Sequence, residues 1–384
     1  MKRKNNFLFY IVSFLTDIVI GVVLLASPLL AIKLKADSLQ LGGLGFIVSI
    51  FYILFCIPFG KLSDRWRRKY MVVLGCFLYL FSSLSISLAT CFFHLLIFMA
   101  LIGIAGAMFW PSFEAWIAER GKGKLIKRIS FFNVSWSLGV AIGPLICGIL
   151  FELNYRFPFY FAALLSGGVI YLILKKLPAY KGEEKVIITG GISPVKDCAL
   201  ENSYLNLARI ANFTGWFAIG TVRYLFPKLS VEIGIQPTIL GILIFLPFIS
   251  QALFFYILGF SSRWHYRLFP LVFFQILGAV GILCIFLIPS LFVFGISFIF
   301  LGMTTGISYF SSIFYSLSSS QDKGKKASIH EVFLGGGALA GPLIGGIFAQ
   351  IYNLKVPYLI ASLVILAGII IEIYLARKSK GQKV

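Results

Sequence analysis

The chain divides into twelve long apolar runs separated by short polar or charged intervals. They fall at roughly 7–31, 40–60, 70–90, 94–117, 130–152, 157–176, 204–225, 238–260, 268–288, 291–315, 328–352 and 356–376. A helix crossing a bilayer needs about 20 mostly apolar residues. The hydrocarbon core offers no water to backbone polar groups, so such runs must fold as helices. Twelve spans account for the composition, in which 59% of 384 residues are hydrophobic and only 12% are charged. Those figures exclude a soluble enzyme, a disordered chain and a secreted disulfide scaffold. The expected fold class is an all-α integral membrane protein with 12 transmembrane helices.

Several weaker signals are absorbed by this reading. Met1-Lys2-Arg3-Lys4 before an apolar run resembles a signal peptide, but Phe7–Leu25 exceeds the roughly 7–15-residue core of such a signal. It is read as a retained first span. The six cysteines form no CxxC and sit mostly in apolar runs, where they act as small fillers, and the three histidines are far apart. No metal site is expected.

The net charge of +20 would suggest a nucleic-acid partner if the charges were clustered on one surface. Sorted by side, 28 of the 34 Lys and Arg lie on the side of the termini, five lie opposite (Lys33, Lys35, Arg156, Lys228, Lys355) and Arg223 lies within a span. This is the positive-inside distribution, with N- and C-termini cytoplasmic, and no nucleic acid is expected as a partner. The longest polar interval divides the chain into a bundle at 1–178, a cytoplasmic linker at 179–203 and a second bundle at 204–384.

The two halves repeat one another. Gly139-x-x-x-Gly143-Pro144-Leu145-Ile146-Cys147-Gly148 in the fifth span recurs as Gly337-x-x-x-Gly341-Pro342-Leu343-Ile344-Gly345-Gly346 in the eleventh. Glycines four apart let helix backbones approach closely. Proline frees a carbonyl that neighbouring helices must satisfy. Gly139, Gly143, Pro144, Gly337, Gly341 and Pro342 are therefore expected to be helix-packing residues. Six spans separate the copies, so both halves cross the membrane in the same sense, as parallel repeats do.

After the second span the chain reads Gly60-Lys61-Leu62-Ser63-Asp64-Arg65-Trp66-Arg67-Arg68-Lys69. With the twelve spans and the repeat, this resembles the major facilitator superfamily, whose signature in this loop is G-x-L-x-D-R-x-G-R-K. Arg67 stands where that family usually has glycine. The matching loop of the second half, Ser261 to Arg267, is degenerate, with Ser262 at the acidic position. The resemblance implies two pseudo-symmetric six-helix bundles and a conformational latch built from Gly60, Asp64, Arg65, Arg68 and Glu119. In that latch Asp64 faces the start of the eleventh span and Arg68 pairs with Glu119, or with Glu114 as second choice. Arg67 and Lys69 are read as topogenic charge alone.

Polar groups inside spans are functional candidates because each is costly there. Asp17 lies about 15 Å into the first span, near the midplane. It is either a proton-coupling group or a structural carboxylate bonded to Ser13. Glu114 is the second proton-coupling candidate, and belongs either to the cavity or to the latch. Arg223 either snorkels to the headgroups or binds an anionic substrate or Asp17, and Glu331 is read as stabilising a helix N-terminus. Trp110, Asn133, Trp136, Asn212, Trp216, Arg223, Gln251 and Tyr309 lie on spans that line the cavity in the family, and are the substrate-binding candidates.

No GxxxxGK[ST] phosphate loop is present and the linker is too short for a nucleotide-binding domain, so ATP-driven pumping and soluble-type catalysis are not expected. The resemblance implies a monomeric secondary transporter in the cell membrane, moving a small organic solute by alternating access with no cofactor beyond a proton gradient. The Gly-Pro motif also resembles a signature of proton-coupled antiporters. Its presence in both halves is equally what packing alone would give, and an arginine associated with export is absent from Phe98–Gly103. Export is the expected direction. Uptake of a sugar, amino acid or other metabolite, and a non-transporting membrane sensor or assembly factor, are the alternatives.

Overall fold

The computed structural model describes residues 2–120, 125–177, 198–318 and 323–381. Twelve helices account for nearly all of them: α1 (Lys2–Lys33), α2 (Ser38–Arg65), α3 (Arg68–Ser87), α4 (Phe92–Arg120), α5 (Leu125–Leu153), α6 (Phe157–Lys176), α7 (Cys198–Glu232), α8 (Pro237–Phe260), α9 (Leu268–Leu287), α10 (Leu291–Ser318), α11 (Lys323–Ile351) and α12 (Val356–Gly381). The last six residues of the expected linker, 198–203, are thus helical. Among the described residues, eleven helices are long and apolar enough to cross a membrane. The exception is α7, where Asn212, Thr214, Thr221 and Arg223 dilute a 35-residue helix. It can carry them because it packs against α10, α11 and α12 and also touches α1 and α2, which leaves it little lipid to face.

The packing scheme is the same in both halves. α1 packs on α5 and α6 as α7 does on α11 and α12, and α3 lies on α4 and α6 as α9 does on α10 and α12. The halves meet through α5 against α8 and α2 against α11. Leu164, Phe269 and Phe292 are at least three-quarters exposed, as lipid-facing side chains are.

Turns repeat as well. α1 and α7 both close with a Schellman pattern, in which Ala36 N–H donates to Ala31 and Ile235 N–H to Ser230. The left-handed residue is Lys35 (φ 62°) in the first half and Gly234 (φ 78°) in the second. Asn154 and Asn353 hold the α5–α6 and α11–α12 turns alike, each accepting at 2.9 Å from the N–H two residues on.

α2 starts with a reciprocal cap. The Asp37 carboxylate accepts from Gln40 N–H at 2.7 Å, and Asp37 N–H donates to the Gln40 side chain at 2.9 Å. Losing such a cap costs about 1 kcal/mol. Asp37→Ala is therefore expected to lower the thermal midpoint of purified protein by about 2–4 °C while leaving ligand affinity unchanged, as thermal unfolding and calorimetry would show.

Each Gly-Pro motif serves two contacts. Gly139 and Gly143 abut α1, where a Cβ on Gly139 would lie 2.6 Å from that of Asp17 and one on Gly143 would lie 2.7 Å from the Gly21 Cα. Gly337 and Gly341 take the same place against the Phe213 and Phe217 carbonyls of α7. One or two turns on, each motif crosses to the other half: Pro144 and Gly148 meet Gly241, Pro237 and Thr238 of α8, and Pro342 and Gly346 meet Gly42 and Gly45 of α2. These crossings lie at the end of the molecule away from the termini. There Glu152 also accepts from Thr238 N–H at 2.8 Å, Gln350 accepts from Ser38 N–H at 3.1 Å, and Lys228 donates to the Ala36 carbonyl at 3.3 Å. The far side is closed by backbone approach and a few polar ties.

Candidate functional site

A cavity of about 180 Å3 lies where the halves meet. Its wall is built from stripes at helical spacing. Asp17, Ile20 and Leu24 come from α1; Gly103, Gly106, Trp110 and Glu114 from α4; Glu331, Leu334, Gly335 and Ala338 from α11. Tyr52, Tyr79, Trp136, Trp216, Tyr309 and Arg223 complete its polar and aromatic lining.

Asp17 is buried in the middle of this wall, and the Ser13 hydroxyl donates to it at 3.5 Å. Arg223 lies farther toward the closed side, in register with Leu24, its guanidinium 5.3 Å from the Phe248 ring. It does not reach out toward headgroups. Among the described residues it makes no ion pair, and it acts on Asp17 only through space. Trp136 of α5 and Tyr309 of α10 meet edge to face across the boundary at 5.3 Å, with Trp216 on the other side of Tyr309 at 6.4 Å.

The end nearer the termini is acidic. Glu114 is the last cavity residue of α4 and Glu331 the first of α11, so the two carboxylates come from opposite halves. The Tyr52 hydroxyl of α2 donates to Glu331 at 2.9 Å, a bond across the boundary. Because α11 starts at Lys323, Glu331 lies more than two turns inside the helix, and the helix-terminus role expected for it does not apply. Its i, i+3, i+4, i+7 stripe with Leu334, Gly335 and Ala338 was the signal in the sequence that would have placed it.

Five of the eight substrate-binding candidates line the cavity: Trp110, Trp136, Trp216, Arg223 and Tyr309. Asn133, Asn212 and Gln251 do not. Asn133 is occupied by the Trp136 indole N–H at 3.2 Å. Gln251 is turned into the α5–α8 seam, where Ser137 donates to it at 3.2 Å. Asn212 is enclosed within its own half with its amide unpaired.

At the end of α2, Asp64 pairs with Arg68 of α3 at 2.9 Å and is largely exposed. Among the described residues it makes no hydrogen bond to α11; the side chains at 323–325 and 327–328, where the latch contact is expected, lie outside them. The Glu119 side chain lies outside the described residues. Arg65 is exposed, and Gly60 sits beside Pro111 of α4. Lys69 is more than topogenic charge: it is buried and donates to the carbonyls of Leu174 (3.0 Å) and Leu177 (2.6 Å), capping the end of α6. The degenerate loop of the second half is held by aromatics instead. Trp264 donates to the Leu258 carbonyl at 3.0 Å, His265 stacks on Phe314, and Tyr266 N–H donates to the Tyr315 hydroxyl at 2.8 Å.

The family model described as Major Facilitator Superfamily matches residues 9–200 and 205–384. The quinolone resistance protein NorA of Staphylococcus aureus is 25% identical over 391 residues, covering 96% of both chains. An uncharacterized MFS-type transporter of Methanocaldococcus jannaschii is 30% identical over 189 residues, a match spanning only 49% of that relative and 48% of this chain. Among solved structures, the nucleoside transporter NupG superposes with a TM-score of 0.73 at 15% identity, covering 96% of this chain and 99% of that one. A bacterial homologue of the human lysosomal transporter Spinster, inward-facing and occupied, gives 0.70 at 15% identity, covering 97% and 95%.

Proposed function

The chain belongs to the major facilitator superfamily, and from that premise we propose that it is a proton-coupled exporter of a small amphipathic organic compound in the cell membrane, working by alternating access as a monomer. The observation that carries this reading is the cavity itself. It lies on the boundary between the halves, is walled by aromatic side chains and holds a buried carboxylate at mid-depth. The aromatic faces suit an organic solute. Asp17 suits proton exchange, because its charge is held away from water with only one hydroxyl and a distant guanidinium to offset it. The full-length similarity to NorA supports export.

Direction is tested with energised membrane vesicles of both orientations. Export predicts accumulation of an aromatic solute in inside-out vesicles acidified within, and none in right-side-out vesicles. The opposite pattern would establish uptake.

The latch belongs to this reading. Breaking an exposed ion pair changes stability by about 0–1 kcal/mol, so Asp64→Asn is expected to leave the thermal midpoint in place. It is expected to slow transport several-fold by shifting the balance between the two access states. Parallel melting and flux measurements check this, and unchanged flux would remove Asp64 from the mechanism.

A further inference from the structure

The transport reading leaves open which part of a substrate meets α7, and the polar groups of that helix narrow the answer. Thr214 and Thr221 spend their hydroxyls on their own helix, donating to the carbonyls of Ala211 at 3.1 Å and Phe217 at 2.9 Å. Arg223 and Trp216 differ. Both line the cavity, and at i and i+7 they share one face of α7, about 10 Å apart along its axis. The Arg223 guanidinium lies 5.3 Å from the Phe248 ring and, among the described residues, makes no hydrogen bond or ion pair. Contact with a ring leaves its N–H fork free to meet an acceptor. Trp216 is only 8% exposed, and its indole N–H is buried with no hydrogen-bond partner. A buried unpaired donor is costly, and so is an arginine inside a span. The two observations are independent and ask for the same chemistry: acceptor oxygens, with negative charge at the Arg223 end. Charge along the cavity agrees. Glu114 and Glu331 lie at the end nearer the termini and Arg223 toward the closed side, so an anionic head group is repelled at one end and held at the other.

We propose that Arg223 binds the carboxylate of an aromatic acid, and that Trp216 donates to an acceptor oxygen at the other end of the same ring system. The inference rests on the transport reading for its cavity but makes a separate claim about the substrate. A guanidinium fork matches a carboxylate in paired, charge-assisted bonds. A primary amide of the same shape offers one oxygen and no charge, and sites built to hydrogen-bond a substrate reject analogues that leave their polar groups unpaired. The ring system lies against Trp136 and Tyr309, the edge-to-face pair beside Trp216. Asp17 is the rival anion for the guanidinium, which acts on it through space. The test separates the two roles.

Purified full-length protein is titrated by calorimetry at neutral pH with three probes. They are an acetylnaphthoate with its two groups at opposite ends of the ring system, the corresponding primary amide, and an isopropylnaphthoate that keeps the shape but lacks the ketone oxygen. The acetylnaphthoate is expected to bind at least about tenfold more tightly than its amide, and at least about threefold more tightly than the isopropyl acid. In Arg223→Gln the first ratio should fall to about twofold or less, and Arg223→Lys should keep part of it. In Trp216→Phe the second ratio should fall to about one while the first persists. Equal affinity of acid and amide, absence of binding by both, or full preference for the acid surviving in Arg223→Gln would each overturn the proposal, the last because the guanidinium would then serve Asp17 alone. Equal affinity of the two acids in wild type, or a preference unchanged in Trp216→Phe, would overturn the role of Trp216. The wild-type comparisons stand even if a variant fails to fold. Proton-driven flux of uncharged solutes would be untouched by such a failure, so the transport reading and the substrate claim can fall separately.

Discussion

Asp17→Asn is expected to abolish accumulation against a gradient while sparing exchange. The carboxylate is buried at mid-depth on the boundary wall, with Ser13 its one hydrogen-bond partner among the described residues and Arg223 acting from a distance. An amide of the same shape keeps the contact with Gly139 on α5 and accepts the Ser13 bond, so the bundles should still pack and rock. What it cannot do is take up and release a proton. For a one-for-one exchange, each unit of pH difference sustains about a tenfold solute gradient, worth about 1.4 kcal/mol. Proteoliposomes carrying wild-type protein should therefore accumulate solute about tenfold per pH unit, and the variant about onefold. Counterflow of labelled against unlabelled solute should persist in the variant within a few-fold. Unimpaired accumulation in Asp17→Asn would move proton coupling elsewhere, with Glu114 and Glu331 the next groups to examine.

The second large effect is expected at the far side. Gly42 of α2 lies against the Pro342 carbonyl and 3.1 Å from the Gly346 Cα, measured from where a Cβ would stand, and Gly148 of α5 stands 2.9 Å from the Thr238 Cα in the same way. Leucine at either place cannot fit without separating the halves at this end. Overpacking of this kind costs about 1–3 kcal/mol, comparable to the gap between two access states. Gly42→Leu and Gly148→Leu are therefore expected to hold the cavity open away from the termini. With a reporter cysteine at Val48 on the cavity wall, an impermeant thiol reagent added from that side should react at least about tenfold faster than without the leucine. Gly43→Leu is the control, because nothing lies within 4 Å of its Cβ position, and it should leave labelling unchanged. Equal rates in all three variants would mean that the far side does not close by this packing.

Much of this architecture is legible in the sequence because a bilayer imposes a length and a polarity on each span. The Gly-Pro repeat announces which helices must touch, since close backbone approach has few other causes. Asp17 stands out as an isolated carboxylate in an apolar run. The misreadings have equally local causes. Glu331 reads as a helix-end residue because the apolar run starts near 328, whereas the helix continues back to Lys323 through a charged turn that hydropathy does not see. Asn133 and Gln251 lie on the right helices, but an amide's partner across a seam cannot be read from one strand of sequence. Lys69 looks like any topogenic lysine until the end of α6 is seen beside it. α7 is read as an ordinary span, and its polarity makes sense only when it is seen enclosed by helices of both halves.

The most direct test of the account is solute accumulation by wild-type protein in sealed proteoliposomes under an imposed pH gradient, followed with and without a protonophore. The account predicts accumulation that rises with the gradient, about tenfold per unit for a one-for-one exchange, and collapses when the protonophore is added. Equilibration to equal concentrations on both sides, indifferent to gradient and protonophore alike, would contradict it.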